Sequence, residues 1–279
     1  MAGAISVEAI QTSLLTIDDI QDEAAMRRGE QSVHCMLSEM AGRQNATENN
    51  FNFGRSQATN IALAGLYWAR SFIDGLNIPS DRIVETGRVI DRVALQTALG
   101  QIADNNASHQ NITESQARQI ATAKTAYYTF ELPLRIGAIL TGRDEASQNF
   151  MSPFAKFTGG IFQAQDDLGG VLGDSAASGK IPNDLQEGKQ TVPIIHAYKT
   201  ATDDERRILD RAKTDPEWLP RAQQIIGCRS LKCCQNIIAS DADAAHQALR
   251  LANPFWPTDY VERLHGLVDH LAEPAEFAV

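Results

Sequence analysis

The chain has 279 residues, 43% of them hydrophobic, enough for a sizeable core in one large domain or two ordinary ones. A formal net charge of −10 argues against a nucleic-acid surface, which needs a basic footprint, but leaves room for an anionic substrate where cations and a few basic residues gather. Cys35, Cys228, Cys233 and Cys234 follow neither a zinc spacing nor a disulfide framework, and so predict a reduced, cytoplasmic setting.

In chain order, Val7, Ile10, Leu14 and Ile17 recur at helical spacing. The same helix carries Asp18 and Asp22 four residues apart, stacked on one face above Gln11 and Leu14. Like charges so placed cost an isolated helix about 0.2–0.5 kcal/mol. A divalent cation reverses that sign, because carboxylate oxygens are what Mg²⁺ takes alongside waters and phosphates. Arg27 and Arg28 follow, two guanidiniums suited to bidentate phosphate binding. The bland reading is an acidic helix end followed by a basic loop.

Glu8 interrupts the short apolar run near the N-terminus, which predicts no signal peptide, and no run reaches the roughly 18 apolar residues of a membrane span. Ser38 to Asn52 is polar and reads as a long loop. Asn60 to Phe72 reads as a helix. A longer helix runs from about Arg82 to Ala103, closing on Gly100-Gln101 and an Asn-rich turn. Thr113 and Gln116 predict a capping box that opens a helix through Lys124-Thr125, interrupted around Pro133. Pro153 starts a stretch reaching Gln163, Asp166 and Asp167, which share a helix face at i, i+3 and i+4. A glycine-bearing loop is expected from Gly169 to Gly188, a second capping box at Thr202 and Glu205, and a terminal helix with Tyr260, Leu264, Leu267 and Leu271. Sustained strand alternation and Asn-Gly hairpin turns are missing. The expected architecture is one all-α domain over residues 1–279, a bundle of long helices.

Bundles commonly build metal sites from carboxylates on facing helices. Two acidic clusters together with Arg27, Arg28, Lys124, Lys180 and Lys189 would balance a trinuclear metal–diphosphate assembly.

The motifs resemble those of the trans-isoprenyl diphosphate synthases, the polyprenyl synthetase family, over nearly the whole chain from about residue 5. The first aspartate-rich motif is Asp18-Asp19-Ile20-Gln21-Asp22, followed by Arg27-Arg28-Gly29. Gly100-Gln101-Ile102-Ala103-Asp104, Lys124-Thr125, Phe162 to Asp167, Gly179-Lys180 and Asp184 to Lys189 complete the set in family order. The resemblance implies a prenyltransferase that ionises an allylic diphosphate and adds isopentenyl diphosphate to the carbocation. It implies three Mg²⁺ ions held by Asp18, Asp22 and Asp166, with Asp167 beside them. Arg27, Lys124 and Lys180 neutralise the allylic diphosphate, with Lys189 more peripheral. Thr125 and Gln163 turn oxygens toward the cation, while Arg28, Gln11 and Phe162 line the isopentenyl side. The departing diphosphate takes the final proton, so His34 is expected to be structural. A homodimer is also implied.

Three features depart from the family pattern. Gly170 stands where many relatives end the second motif with a third aspartate. No Gly-Lys-x-x-Arg element of the kind that binds isopentenyl diphosphate precedes the first motif. The stretch between His34 and Gly54 is longer than usual, and is expected to act as a flap or subunit contact. Relatives that make short products place an aromatic residue four or five positions before the first aspartate. Those positions are Leu14 and Ser13, which predicts a tail passing Ser13, a product of C20 or longer, and a next floor at Ile10 or Val7. A class I terpene cyclase and a non-catalytic synthase subunit are the rival readings.

Overall fold

The computed structural model describes residues 1–44, 49–173 and 182–274. Among the described residues the protein is all-α apart from one small hairpin. The chain divides into two compact units, Met1–Ile90 with Ile139–Gly142, and Asp91–Ala138 with Arg143–Val279.

In the first unit, α1 (Ala2–Gln21) and α2 (Val33–Gln44) both pack on α3 (Asn50–Asp74). Small residues set the distance. Along α3, Ala58, Ala62 and Ala69 are buried, and a Cβ on Gly65 would lie 2.2 Å from Ser13 Oγ of α1. Ser6 Oγ donates to the Ala69 carbonyl at 2.8 Å, satisfying a buried hydroxyl across the seam. At Gly54 the same device admits α2: a Cβ there would meet Ser38 Oγ at 2.0 Å and the His34 carbonyl at 2.3 Å.

The expected loop from Ser38 to Asn52 is therefore corrected. Most of it is helix, ending α2 at Gln44 and beginning α3 at Asn50. Its polarity misled because Ser38 meets Gly54 by a small polar contact, so no apolar stripe was required. Between α1 and α2, β1 (Met26–Arg27) pairs antiparallel with β2 (Glu30–Gln31). Arg28 and Gly29 at φ 54° and 80° make the two-residue turn of a type I′ hairpin, here without the usual Asn-Gly pair.

Helix α4 (Ser80–Ala107) continues through Gly100 rather than closing there. In the second unit, α5 (Glu114–Ala121) opens on the predicted Thr113–Gln116 capping box. It passes into a π-helix (Thr122–Glu131) and then α6 (Leu132–Leu140). The expected break at Pro133 is absent because the wider ladder comes first: Leu132 N–H donates to the Tyr127 carbonyl, five residues back. A widened turn re-routes hydrogen bonds around a residue that has no N–H to give.

The core lies around α7 (Met151–Leu172) and the 31-residue α10 (Leu219–Leu249), with Phe150, Phe154, Ile161, Leu168, Ile226 and Leu249 buried. Buried Leu168, Val171 and Leu172 carry α7 past Gly169, where a loop was expected, until Gly173 ends it at φ 80°. Helix α8 (Val192–Thr200) precedes α9 (Asp203–Ala212), which opens on the second predicted capping box at Thr202 and Glu205. Terminal α11 (Thr258–Ala272) buries Val261, Leu264 and Val268.

Two buried ion pairs lock the second unit. Asp241 of α10 accepts from Arg118 Nη2 at 2.7 Å, and Gly160 of α7 leaves the space, since a Cβ there would lie 2.4 Å from Asp241 Oδ2. Glu131, fully buried at the end of the π-helix, receives Arg92, Arg135 and the Ser152 hydroxyl. Glu131→Ala would strand these donors, and breaking a buried pair from one side costs about 3–5 kcal/mol. The expected result is an unfolding free energy, read from urea titration, lowered by that amount, with Glu131→Gln showing a smaller loss.

Candidate active site

In the first unit the acidic motif sits at the end of α1. Helix geometry of about 100° per residue puts Gln11, Leu14, Asp18 and Asp22 along one side, and all four are half-buried. Asp19 points elsewhere. It is buried, and its Oδ1 accepts from Arg27 Nε at 2.7 Å, while Arg27 Nη2 donates to Asp18 Oδ2 at 3.2 Å. Burial pushes the Asp19 carboxyl above the usual carboxylate range, and the Arg27 hydrogen bond opposes this. Burial also works against the Arg27 charge, but the hydrogen bonds and negative charges of Asp19 and Asp18 together outweigh it and hold the guanidinium above its ordinary value. Arg28 is exposed at the hairpin tip.

Ser13 lies about 140° around α1 from Asp18. It is closed against α3 and its hydroxyl donates to the Ala9 carbonyl at 2.7 Å. Ser13 thus opens no space beside Asp18, which corrects the expectation of a tail passing there. Ile10 is buried as well, whereas Leu14 stays on the Asp18 side, a turn earlier.

His34 is buried, with Ser32 Oγ 3.2 Å from Nδ1 and Cys35 Sγ 3.4 Å from Nε2. Phe51 stands edge-on to its ring. Burial lowers its pKa, Asp19 and Glu23 raise it, and Arg55 lowers it further.

In the second unit the motif residues meet. The Gly-Gln-x-x-Asp and Lys-Thr motifs are two halves of one contact. A Cβ on Gly100 would lie 2.5 Å from the Lys124 backbone nitrogen, so only glycine lets α4 approach the π-helix this closely. One turn later, Asp104 accepts from Lys124 Nζ at 2.8 Å. On the other side, Gly159 of α7 makes room for Ala126, whose Cβ would be 2.3 Å from a Cβ at that glycine. Thr125 Oγ1 then donates to Gln163 Oε1 at 2.8 Å. Gln163 Nε2 donates to Asp167 Oδ1 at 2.8 Å and lies 3.4 Å from Asp166 Oδ2. Asp167 is buried and Asp166 exposed. Phe162 is partly exposed and edge-on to Phe130.

Lys189 is drawn to its own turn, 3.0 Å from Glu187 and 3.7 Å from Asp184. Lys180 lies outside the described residues. Gly170 acquires a physical reason: a Cβ there would lie 2.0 Å from Oδ2 of buried Asp184. The carboxylate of Asp184 thus fills the space into which a side chain at position 170 would grow. Asp104 and Asp184 belong to sequence motifs that name no partner for them; their oppositely charged or space-filling counterparts lie 20 and 14 residues away. The signal that could have found them is the pairing of a motif glycine with a motif carboxylate.

As for metal, Asp18 and Asp22 on one helix side, and exposed Asp166 beside Asp167, are oxygen donors of the kind Mg²⁺ takes. They fit a hard divalent ion.

The family model for polyprenyl synthetase matches residues 2–226. The chain is 28% identical to a geranylgeranyl diphosphate synthase of Saccharolobus solfataricus, over 89% of this chain and 72% of that protein. It is 30% identical to an all-trans-nonaprenyl-diphosphate synthase of Rhodobacter capsulatus, over 89% and 71%. It is 26% identical to the octaprenyl diphosphate synthase of Escherichia coli, over 96% and 77%. Among solved structures, a geranylgeranyl pyrophosphate synthase of Corynebacterium glutamicum, complexed with isoprenyl diphosphate and magnesium, superposes with a TM-score of 0.89. That match has 24% identity and covers 98% of this chain and 78% of that one, which shows the fold. The chain belongs to the polyprenyl synthetase family, the divalent-metal-dependent prenyltransferases that make isoprenyl diphosphates. Among the described residues no helix is long and apolar enough to cross a membrane.

Two outcomes follow from the geometry. Gly100→Ala should gain about 1 kcal/mol of helix propensity and lose more to overpacking against the π-helix backbone, typically 1–3 kcal/mol; a lowered melting temperature and a weaker kcat/KM would register it. For His34, a lowered folded-state pKa means the stability it supplies is full above its ordinary value of 6.5 and is lost as pH falls through the folded value. The stability difference between wild type and His34→Gln, read from urea titrations, should therefore shrink as pH drops below 6.5.

Proposed function

We propose that this chain, read as one polyprenyl synthetase domain over residues 1–279, condenses isopentenyl diphosphate with an allylic diphosphate. The reaction is ionisation, condensation and elimination, and the product is a trans-polyprenyl diphosphate of C20 or longer. The observation that carries the reading is the bonded line of motif residues in the second unit, from Asp104 and Lys124 through Thr125 and Gln163 to Asp167.

Asp18 and Asp22, and Asp166 with Asp167 beside it, would hold Mg²⁺, three ions in all. When bound, Mg²⁺ neutralises charge that builds on the departing diphosphate. Lys124, Lys180 and Arg27 bind the same diphosphate, with Lys189 further out. Arg27 is now held by Asp18 and Asp19, so it is already placed and oriented on the acidic motif before an anion arrives. Thr125 and Gln163 hold oxygen atoms toward the allylic cation, each fixed by the other. Arg28, Gln11 and Phe162 orient isopentenyl diphosphate, and the final proton passes to the released diphosphate.

Product length is assigned to the Leu14 side of α1. Position 14 is not aromatic, and the relatives include geranylgeranyl, octaprenyl and nonaprenyl diphosphate synthases. The protein acts in the cytoplasm as a homodimer. Leu95, Leu99 and Ile102, an exposed apolar stripe on α4, support a second copy.

Purified protein incubated with Mg²⁺, labelled isopentenyl diphosphate and allylic primers should accumulate extractable label, and a chelator should abolish it. Asp18→Asn and Asp166→Asn should each lower kcat by roughly 10²–10³ with unchanged melting temperature, the usual scale for losing one electrostatic contact. No incorporation from any primer would sink the reading. Leu14→Phe should shorten the products, whereas Ser13→Phe should instead destabilise the α1–α3 seam.

A further inference from the structure

The second unit carries another cluster of ligating side chains that the diphosphate chemistry does not use. Glu114 lies in the first turn of α5, His196 in α8 and Cys233 in α10, and one donor atom from each falls within 4.8 Å of the others. Each comes from a different helix, and each helix is anchored close by. The Thr113–Gln116 capping box fixes the start of α5 beside Glu114. The buried Ser230 hydroxyl donates to the Pro193 carbonyl at 2.6 Å, which ties α10 to α8 within a turn of both Cys233 and His196. His196 Nδ1 stands 3.2 Å from Glu114 Oε1.

An imidazole, a thiol and a carboxylate make a donor set unlike the all-oxygen groups of the aspartate motifs. Nitrogen and sulfur select zinc-like ions over magnesium. Bonds of about 2.0–2.3 Å in a tetrahedral zinc site leave donor atoms roughly 3.3–3.8 Å apart, so the cluster needs to close by about 1 Å. Lys199 Nζ now sits 3.1 Å from the same Glu114 oxygen, and its side chain is 67% exposed. An arriving cation would take over that charge balance and release Lys199 to solvent.

We propose that Glu114, His196 and Cys233 bind one zinc-class divalent cation, with water in the fourth position, and that the ion staples α5, α8 and α10. The bland reading is an ion pair beside a half-buried thiol. Cobalt(II) separates the two, because a thiolate ligand gives a near-ultraviolet charge-transfer band that carboxylate sites cannot give. Full-length, metal-stripped protein titrated with Co²⁺ should develop that band, saturating at one ion per chain and bleached by Zn²⁺ but not by Mg²⁺. Cys233→Ser should lose it, Cys228→Ser should keep it, and His196→Ala should weaken Co²⁺ binding at least tenfold. Zn²⁺ should also raise the melting temperature of the wild type and not of Cys233→Ser. Absence of the band in wild-type protein, or its persistence in Cys233→Ser, overturns the proposal. Neither readout depends on prenyl transfer.

Discussion

The arrangement of the second unit depends on how closely backbone can approach backbone at the π-helix. Gly100 on one side and Gly159 on the other each sit where a single added carbon would collide with residues 123–126. Packed interiors transmit such displacements rather than absorbing them. Lys124 and Thr125 are therefore held from both flanks, and their bonds to Asp104 and Gln163 follow from that clamp. Glu131 secures the far end through two arginines and a serine hydroxyl.

The first unit solves a related problem with different chemistry. Its helices meet through serine, alanine and glycine, and they satisfy buried hydroxyls on carbonyls across or along the seam. That leaves the other side of α1 for Gln11, Leu14, Asp18 and Asp22. Asp19, in the middle of the motif, serves the fold by gripping Arg27. Three aspartates that look alike in sequence thus divide into two that face one way and one that is buried as a brace.

Local signals were legible and non-local ones were not. Both capping boxes, at Thr113–Gln116 and Thr202–Glu205, appear where their spacing placed them, because a cap needs only its own four residues. The all-α architecture and the terminal helix could be read from periodicity. Helix α2 could not, since its seat on Gly54 depends on a residue in another helix and leaves little apolar repeat. Ser13 misled for the same reason: smallness signalled open space, but the space is filled by α3 at Gly65. Pro133 read as a break because hydrogen-bond register, which absorbs it, has no signature in composition. Gly170 read as a missing ligand, and only the fold shows Asp184 occupying the volume.

The π-helix holds more chain per turn than an α-helix does, as though one residue had been inserted. Deleting a single residue between Tyr127 and Leu132 would let the coil tighten to ordinary pitch. The wide turn absorbs the extra residue locally, so the helices on either side would keep close to their mutual rotation. What would be lost is the wider ladder in which Leu132 donates to Tyr127 ahead of Pro133, and the chain would meet a residue without an N–H in ordinary register. The surplus residue is slack, taken up in one stretch so that the chain on either side need not turn.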